Sequence, residues 1–293
     1  MMYHLTHKTI YTYSKPVSLC YNIARLVPRT TALQVCKKAL ITIDPLPDVF
    51  NEYEDFFGNK VTYFAIQHDH NDLTVTVQSE IEKFSKGALE ISLYGNTPWE
   101  KVKAQLKAQN DELIDALQYV PETVMTAINP DLTAYAAESF TPGRSMLAAT
   151  FELMQRIYND FEFTPGFSTV STPLSEVMNK KQGVCQDFAH LAIACIRSLG
   201  LPARYVSGYL ETLPPPGRQK LAGVDASHAW FAVYIPDVGW LDFDPTNNHM
   251  PAEQHITIGW GRDYSDIAPL KGVLFSSGQH QLSVSVDVRR GEV

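Results

Sequence analysis

The sequence predicts an α+β protein in which a β-rich N-terminal domain precedes a core made of one buried helix and a meander of strands. Runs rich in β-branched and aromatic residues fill the chain before residue 95, and helical periodicity begins at about residue 98. A buried helix followed by consecutive strands argues against a doubly wound sheet. The length of 293 residues favours two domains.

The N-terminal domain, assigned to residues 1–95, is predicted to be a β-sandwich-like or curved antiparallel sheet. Its strand candidates alternate with turn sequences and lie at residues 9–13, 38–43, 61–66 and 73–77. Residues 281–288 also alternate between apolar and polar side chains, which predicts a strand with one solvent-exposed face. We expect this strand, in a C-terminal segment of residues 263–293, to return to the N-terminal sheet.

The middle of the chain is predicted to be helical. Short helical patterns punctuated by prolines assign residues 96–143 to a helical connector. The core, assigned to residues 144–262, opens with an amphipathic helix, and residues 187–199 are apolar on nearly all sides, as in a buried helix. Strand candidates follow this helix, with a Pro-rich loop at 214–217, and they lie at residues 203–209, 228–234 and 240–244.

The composition and charge of the chain argue against several classes of function. Hydrophobic residues make up 45% and charged residues 19%, as in ordinary globular proteins. The net charge of −8 has no basic cluster within it, which argues against a nucleic-acid-binding or anionic-membrane surface. No apolar run reaches the length of a membrane helix, and the N-terminus lacks the apolar segment of a secretion signal. We therefore expect a cytoplasmic protein.

Cysteine usage argues against a disulfide framework or a zinc ribbon. The four cysteines are few for the length and lack C-x-x-C spacing. We expect neither a metal nor an organic cofactor. A single cysteine remains available as a nucleophile.

Cys185 stands where a glycine-containing loop meets the N-terminus of the buried helix. Backbone N–H groups and the helix dipole at that position favour the thiolate over the thiol, which makes the sulfur a usable nucleophile. The alternative is that Cys185 is a small buried hydrophobic residue. Cys195 lies inside the same helix and is interpreted as structural.

A cysteine nucleophile needs a base and a group that orients the base. His228 opens one strand candidate and Asp244 closes the next. If these strands form an antiparallel hairpin, their outer ends meet and His228 lies beside Asp244. Asp242 shares the strand face of Asp244 and competes for the role, but the strand-end position favours Asp244.

Together, these segments resemble the core of the transglutaminase-like superfamily. The resemblance is carried by Gly183-Val184-Cys185, by His228-Ala229-Trp230 and by the segment from Trp240 to Thr246, and it covers roughly residues 145–250. Residues 11–13, 26–29 and 55–59 are similar to the β-rich region that precedes this core in bacterial members. The resemblance implies a papain-like core in which Cys185 is the nucleophile, His228 the general base and acid, and Asp244 the orienting carboxylate.

The chemistry implied is acyl transfer on a peptide or protein substrate through a thioester. Water as the acceptor gives a cysteine protease or amidase, and an amine gives a transglutaminase. The backbone N–H of Cys185 is the expected oxyanion donor, with Gln182 or Gln186 as side-chain candidates and Trp230 as a candidate wall of the substrate groove. An inactive binding module is a further alternative.

Overall fold

The computed structural model describes residues 1–84, 96–107, 111–212, 225–236 and 238–291. The Pro-rich loop predicted at 214–217 lies outside these ranges. The strands are β1 (Met2–Val17), β2 (Leu19–Ala24), β3 (Gln34–Asp44), β4 (Val49–Glu54), β5 (Lys60–Ile66), β6 (His70–Lys83), β7 (Glu162–Phe163), β8 (Gln182–Gly183), β9 (Ala203–Leu210), β10 (Ala226–Ile235), β11 (Gly239–Phe243), β12 (His255–Gly261), β13 (Leu270–Phe275) and β14 (His280–Arg290). The helices are α1 (Trp99–Lys107), α2 (Asp111–Leu117), α3 (Pro130–Ser139), α4 (Met146–Asp160), α5 (Leu174–Lys180) and α6 (Cys185–Ser198).

The N-terminal part contains two four-stranded antiparallel sheets, with strand orders β14-β1-β6-β3 and β13-β2-β5-β4. Apolar side chains from both sheets form one buried cluster, including Val75 and Val77 of β6 and Phe64 and Ile66 of β5. Along β1 and β6, buried side chains alternate with more exposed ones, so one face of each strand lies in the interior.

Both C-terminal strands belong to these sheets. β13 pairs with β2, and β14 pairs with β1 from Tyr3↔Arg290 to Tyr13↔His280. Each sheet of the N-terminal part therefore takes one edge strand from the end of the sequence.

The core consists of α6 packed against an antiparallel sheet of order β11-β10-β9-β12. Every residue of α6 from Asp187 to Arg197 is buried, as the apolar sequence on all sides of this helix predicts. Val102 of α1, Leu132 of α3 and Leu153 of α4 belong to the same buried cluster. The segment predicted as a connector thus forms part of the core, and the predicted α+β fold class is confirmed.

Within the described ranges, no helix has both the length and the apolar character needed to cross a lipid bilayer.

Candidate active site

Cys185 is the first residue of α6 and is partly exposed. The preceding loop is held by Asp187, whose carboxylate accepts a 2.8 Å hydrogen bond from the backbone N–H of Val184 and another from the Ser168 hydroxyl. The first N–H groups of a helix have no partners within the helix, and the dipole favours negative charge there. The fold therefore places Cys185 at the N-terminal end of a buried helix, beside backbone N–H groups that have no partner within the helix.

His228 lies on β10 with its side chain buried, and its Nε2 is 2.8 Å from Oδ2 of Asp244. The β10–β11 hairpin brings these residues together, since its pairing from Ile235↔Gly239 to Phe231↔Phe243 leaves Asp244 just beyond the paired end. The His228 side chain also lies close enough to Cys185 for the cysteine to contribute to the raised pKa of His228. With Nε2 bonded to Asp244, Nδ1 is the nitrogen left to interact with the sulfur.

Asp244 is completely buried and accepts hydrogen bonds on both carboxylate oxygens. The backbone N–H groups of Thr246 and Asn247 donate to Oδ1 at 2.9 and 3.2 Å. Oδ2 receives the Asn247 amide at 2.8 Å and Nε2 of a second histidine, His255, at 2.9 Å. These hydrogen bonds offset the free-energy cost of burying the charge of Asp244.

The electrostatics of the site favour a charged Asp244 and a charged His228. Burial opposes ionisation of Asp244, but hydrogen bonds from His228 and His255 outweigh it and hold the pKa of this carboxyl well below its usual range. Burial likewise opposes protonation of His228, yet hydrogen bonds with Asp244 and Cys185 raise the pKa of His228 to about 10. His228 is therefore an imidazolium at neutral pH.

His255 behaves differently from His228. Burial lowers the pKa of His255, and the hydrogen bond with Asp244 only partly offsets this effect. Its Nδ1 is buried without a hydrogen-bond partner. A neutral ring with its proton on Nε2 fits both observations, because Nε2 then donates to Asp244 and no donor is left unpaired on Nδ1.

Within the described part of the chain, one set of side chains has three ligand atoms close enough for a metal ion, namely His228, Asp244 and His255, whose atoms lie within 4.8 Å of one another. Both histidine nitrogens approach the same carboxylate oxygen at hydrogen-bond distance, 2.8 and 2.9 Å. An ionised carboxylate only accepts, so both nitrogens carry protons there. Protonated nitrogens do not ligate a metal, and the set fits a hydrogen-bonded network.

The other polar residues considered for the site are Asp242, Gln182 and Gln186. Asp242 does not contact His228; it belongs to β11 and lies near Arg204, so Asp244 alone takes the predicted position. Gln182 donates to Glu162 at 3.2 Å, and Gln186 is a partly buried residue of the first turn of α6.

The expectation that Trp230 walls a substrate groove is wrong. Its side chain is 0% exposed, and its ring packs against the rings of His228 and His255 with centroids 6.1 and 5.1 Å apart. A side chain with no exposed surface offers none to a substrate. Trp230 instead supports the two histidines that donate to Asp244.

Sequence reasoning missed His255 and Asn247, both donors to Asp244. Asn247 lies three residues beyond Asp244 in a turn, where an Asn commonly bonds locally. His255 is the first residue of an apolar strand, a position comparable with that of His228. The sequence therefore contained a signal for His255, because it stands near the start of an apolar strand as His228 does. The local sequence does not show which strand lies next to the one that carries His255.

The chain belongs to the transglutaminase-like superfamily. Residues 133–245 match the family model of that superfamily, and residues 3–82 match the bacterial transglutaminase-like N-terminal region. The predicted family is thus confirmed, and the second match covers most of the N-terminal sheets.

Two known proteins are similar to this chain in sequence, and one solved structure is similar to it in fold. An uncharacterised protein of Mycobacterium tuberculosis is 38% identical over 98% of this chain and 92% of its own length. A protein-glutamine gamma-glutamyltransferase of Pseudomonas aeruginosa is 30% identical over 42% of this chain and 19% of its own length. A solved structure of a "putative cysteine protease" from Cytophaga hutchinsonii has a TM-score of 0.76 and 20% identity, covering 100% of this chain and 92% of that one.

Proposed function

We propose that the protein is a thiol-dependent acyl-transfer enzyme that cleaves peptide or amide bonds through Cys185, His228 and Asp244. The observation that carries this proposal is the hydrogen bond of 2.8 Å between Asp244 and Nε2 of His228, a histidine whose pKa is raised by both Asp244 and the cysteine at the start of α6. Nucleophile, base and orienting group follow one another as covalent catalysis requires. Membership of the superfamily supports the same assignment.

In the acylation step, the thiolate of Cys185 attacks the carbonyl carbon of the substrate amide, and the carbonyl π electrons move to oxygen. The backbone N–H of Cys185 lies at the helix N-terminus, where it donates to the developing oxyanion. The imidazolium of His228 gives its Nδ1 proton to the leaving amine nitrogen as the C–N bond breaks. A thioester on Cys185 and a neutral His228 remain.

In the deacylation step, neutral His228 takes a proton from the attacking water, and the water oxygen forms a bond to the thioester carbon. The C–S bond then breaks, the carboxylic acid leaves, and the thiolate–imidazolium pair is restored. Asp244 stays ionised throughout, since its hydrogen bonds stabilise the imidazolium each time it forms.

Transfer to an amine in place of water is the second candidate function. The similarity to the Pseudomonas aeruginosa glutamyltransferase favours it. The triad serves both reactions equally, because only the acceptor of the thioester differs. Mass spectrometry of a glutamine peptide incubated with a primary amine separates the products, a gain of 1 Da for hydrolysis against the mass of the amine less ammonia.

The test of the proposed function is the pH dependence of Cys185 alkylation by iodoacetamide, read by peptide mass spectrometry. An ordinary cysteine is only about one hundredth ionised at pH 6.5. A thiolate paired with imidazolium reacts rapidly there, although its lower basicity makes it a weaker nucleophile. We expect the rate at pH 6.5 to be about 10 to 100 times higher in the native protein than in His228→Ala.

Cys36 provides an internal control, since it is partly exposed and lies in the N-terminal sheet. Its alkylation should be the same in both proteins. Slow labelling of Cys185 at pH 6.5 in both proteins would contradict the enzyme assignment. It would favour an inactive binding module.

A further inference from the structure

The strand that carries His255 is held by the N-terminal part of the chain. β12 is the last strand of the core sheet, with β9 on one side. On the other side, its backbone is bonded by residues that lie more than 170 positions earlier in the sequence, as in the bond from Lys83 to His255, with a separation of 172. Three side chains and one backbone group make these contacts.

Gln34 binds Thr257 through both ends of its amide. The side-chain nitrogen donates to the Thr257 carbonyl at 2.7 Å, and the side-chain oxygen accepts from the Thr257 N–H at 2.9 Å. The backbone N–H of Arg29 adds a bond to the same carbonyl at 3.2 Å. Gln34 is 1% exposed, so this pair replaces the neighbouring strand that β12 lacks on this side.

Asn59 repeats the arrangement at Trp260. Its amide nitrogen donates to the Trp260 carbonyl at 2.8 Å, and its oxygen accepts from the Trp260 N–H at 3.0 Å. The Trp260 ring is stacked between the guanidinium groups of Arg29 and Arg204, each 3.7 Å from the ring centroid. The end of β12 that carries Trp260 is thereby also bonded to the N-terminal part of the chain.

Lys83, the last residue of β6, contacts the catalytic end of β12. Its ammonium donates to the backbone carbonyl of His255 at 2.6 Å, and its side chain is buried. Burial lowers the pKa of Lys83 to about 8, with the charges of Asp242 and Glu253 opposing this effect. An ammonium is an uncommon buried group, and here its partner is the residue that donates to Asp244.

We propose that Lys83 and Gln34 are positioning residues of the active site, acting through β12 to hold His255 against Asp244. The assignment rests on the proposed function, since it gives the N-terminal region a part in the same chemistry. His255 reaches Asp244 at 2.9 Å, and a displacement of β12 lengthens that bond directly. Catalytic geometry loses efficiency on displacements of about 1 Å.

The consequence for Asp244 follows from its burial. A carboxylate that is 0% exposed cannot replace a lost donor with water. Without His255, its oxygen shifts toward the remaining donors, His228 and Asn247. The imidazolium of His228 then loses the orientation that directs Nδ1 to Cys185.

The experiment compares Gln34→Leu and Lys83→Met with the native full-length chain. Lys37→Met is the matched control, because Lys37 is a half-exposed lysine on β3 that pairs with Glu82 and contacts no part of β12. The readouts are the ¹⁵N-histidine NMR signal of the His255 Nε2–H group and the rate of Cys185 alkylation at pH 6.5. We expect both variants to shift the signal and to slow alkylation about 10-fold, and the control to change neither.

The two variants distinguish an effect of the position of β12 from an effect of the Lys83 charge. Lys83→Met removes a charge near Asp242, whereas Gln34→Leu does not alter any charge, so an effect common to both reports the placement of β12. Lys83→Arg keeps the donor and the charge and should restore most of the native rate. Circular dichroism and thermal unfolding identify any variant that fails to fold, and for such a variant the milder Gln34→Asn takes its place.

Native-like NMR signals and alkylation rates in folded Gln34→Leu and Lys83→Met would overturn the positioning role. If the proposed function is wrong, the alkylation and NMR measurements give a different result. Cys185 of the native protein would then be slow at pH 6.5, while the His255 signal would still respond to the N-terminal variants.

Discussion

Replacing Asp244 with Asn is expected to lower kcat/KM for amide hydrolysis by about 10⁴-fold. The Asn side chain has the same size, but it has only one oxygen. If that oxygen takes the Oδ2 position and accepts from His228 and His255, the amide nitrogen presents protons to the backbone N–H groups of Thr246 and Asn247, which donate to Oδ1 in the native protein. The charge that raises the pKa of His228 is lost as well, so the imidazolium is no longer favoured at neutral pH.

Asp242→Asn is the matched control for this prediction. Asp242 precedes Asp244 by two residues on the same strand face but has no contact with His228, so kcat/KM should stay within a few-fold of the native value. The measurement is the steady-state rate on a peptide amide library, with folding checked by circular dichroism. A native rate in folded Asp244→Asn would refute the triad assignment.

Replacing Arg197 with Met is expected to destabilise the fold by about 3 to 5 kcal/mol. Arg197 is 2% exposed and lies in the last turn of α6. Its guanidinium donates to the carbonyl oxygens of Tyr119, Ala203 and Arg262 at 2.9, 2.8 and 2.7 Å, and to the Thr126 hydroxyl at 2.8 Å. Met fills a similar volume but removes the Arg197 donor from all four of these acceptors.

Arg289→Met is the control, because Arg289 pairs with Asp287 at a site where the arginine side chain is 61% exposed. Exposed pairs of this kind contribute less than about 1 kcal/mol. Urea unfolding of both variants measures the difference in free energy. Equal stability of the two variants would show that the bonds of Arg197 contribute no more than a surface pair.

The sequence was most informative where the signal is local. The apolar pattern on nearly all sides of residues 187–199 predicts the burial of α6. The two strand candidates around residues 235–239 predict the hairpin that brings His228 within 2.8 Å of Asp244. Hairpin pairing follows from turn position and alternation alone. Cys185 could be assigned to the helix start because Gly183 and the apolar run define that boundary.

The contacts that no local pattern encodes could not be predicted. Gln34 and Thr257 are 223 residues apart, and a buried glutamine that binds a strand edge has the same sequence signature as an exposed one. The role of His255 depends on which strand neighbours β9, a question of sheet order rather than of periodicity. The helices of residues 96–143 are predicted as a connector because their short, proline-punctuated patterns do not reveal that Val102 and Leu132 belong to the same buried cluster as α6.

The pairing of β1 with β14 and of β2 with β13 also constrains how the chain matures on the ribosome. The other strands of both N-terminal sheets emerge first, yet each sheet waits for an edge strand, β13 or β14, that is made much later. At about 5 to 20 residues per second, this interval is on the order of ten seconds or more. Each sheet therefore stays open at one edge while the strands and helices between β6 and β13 are synthesised, and it closes only when its C-terminal strand has been made.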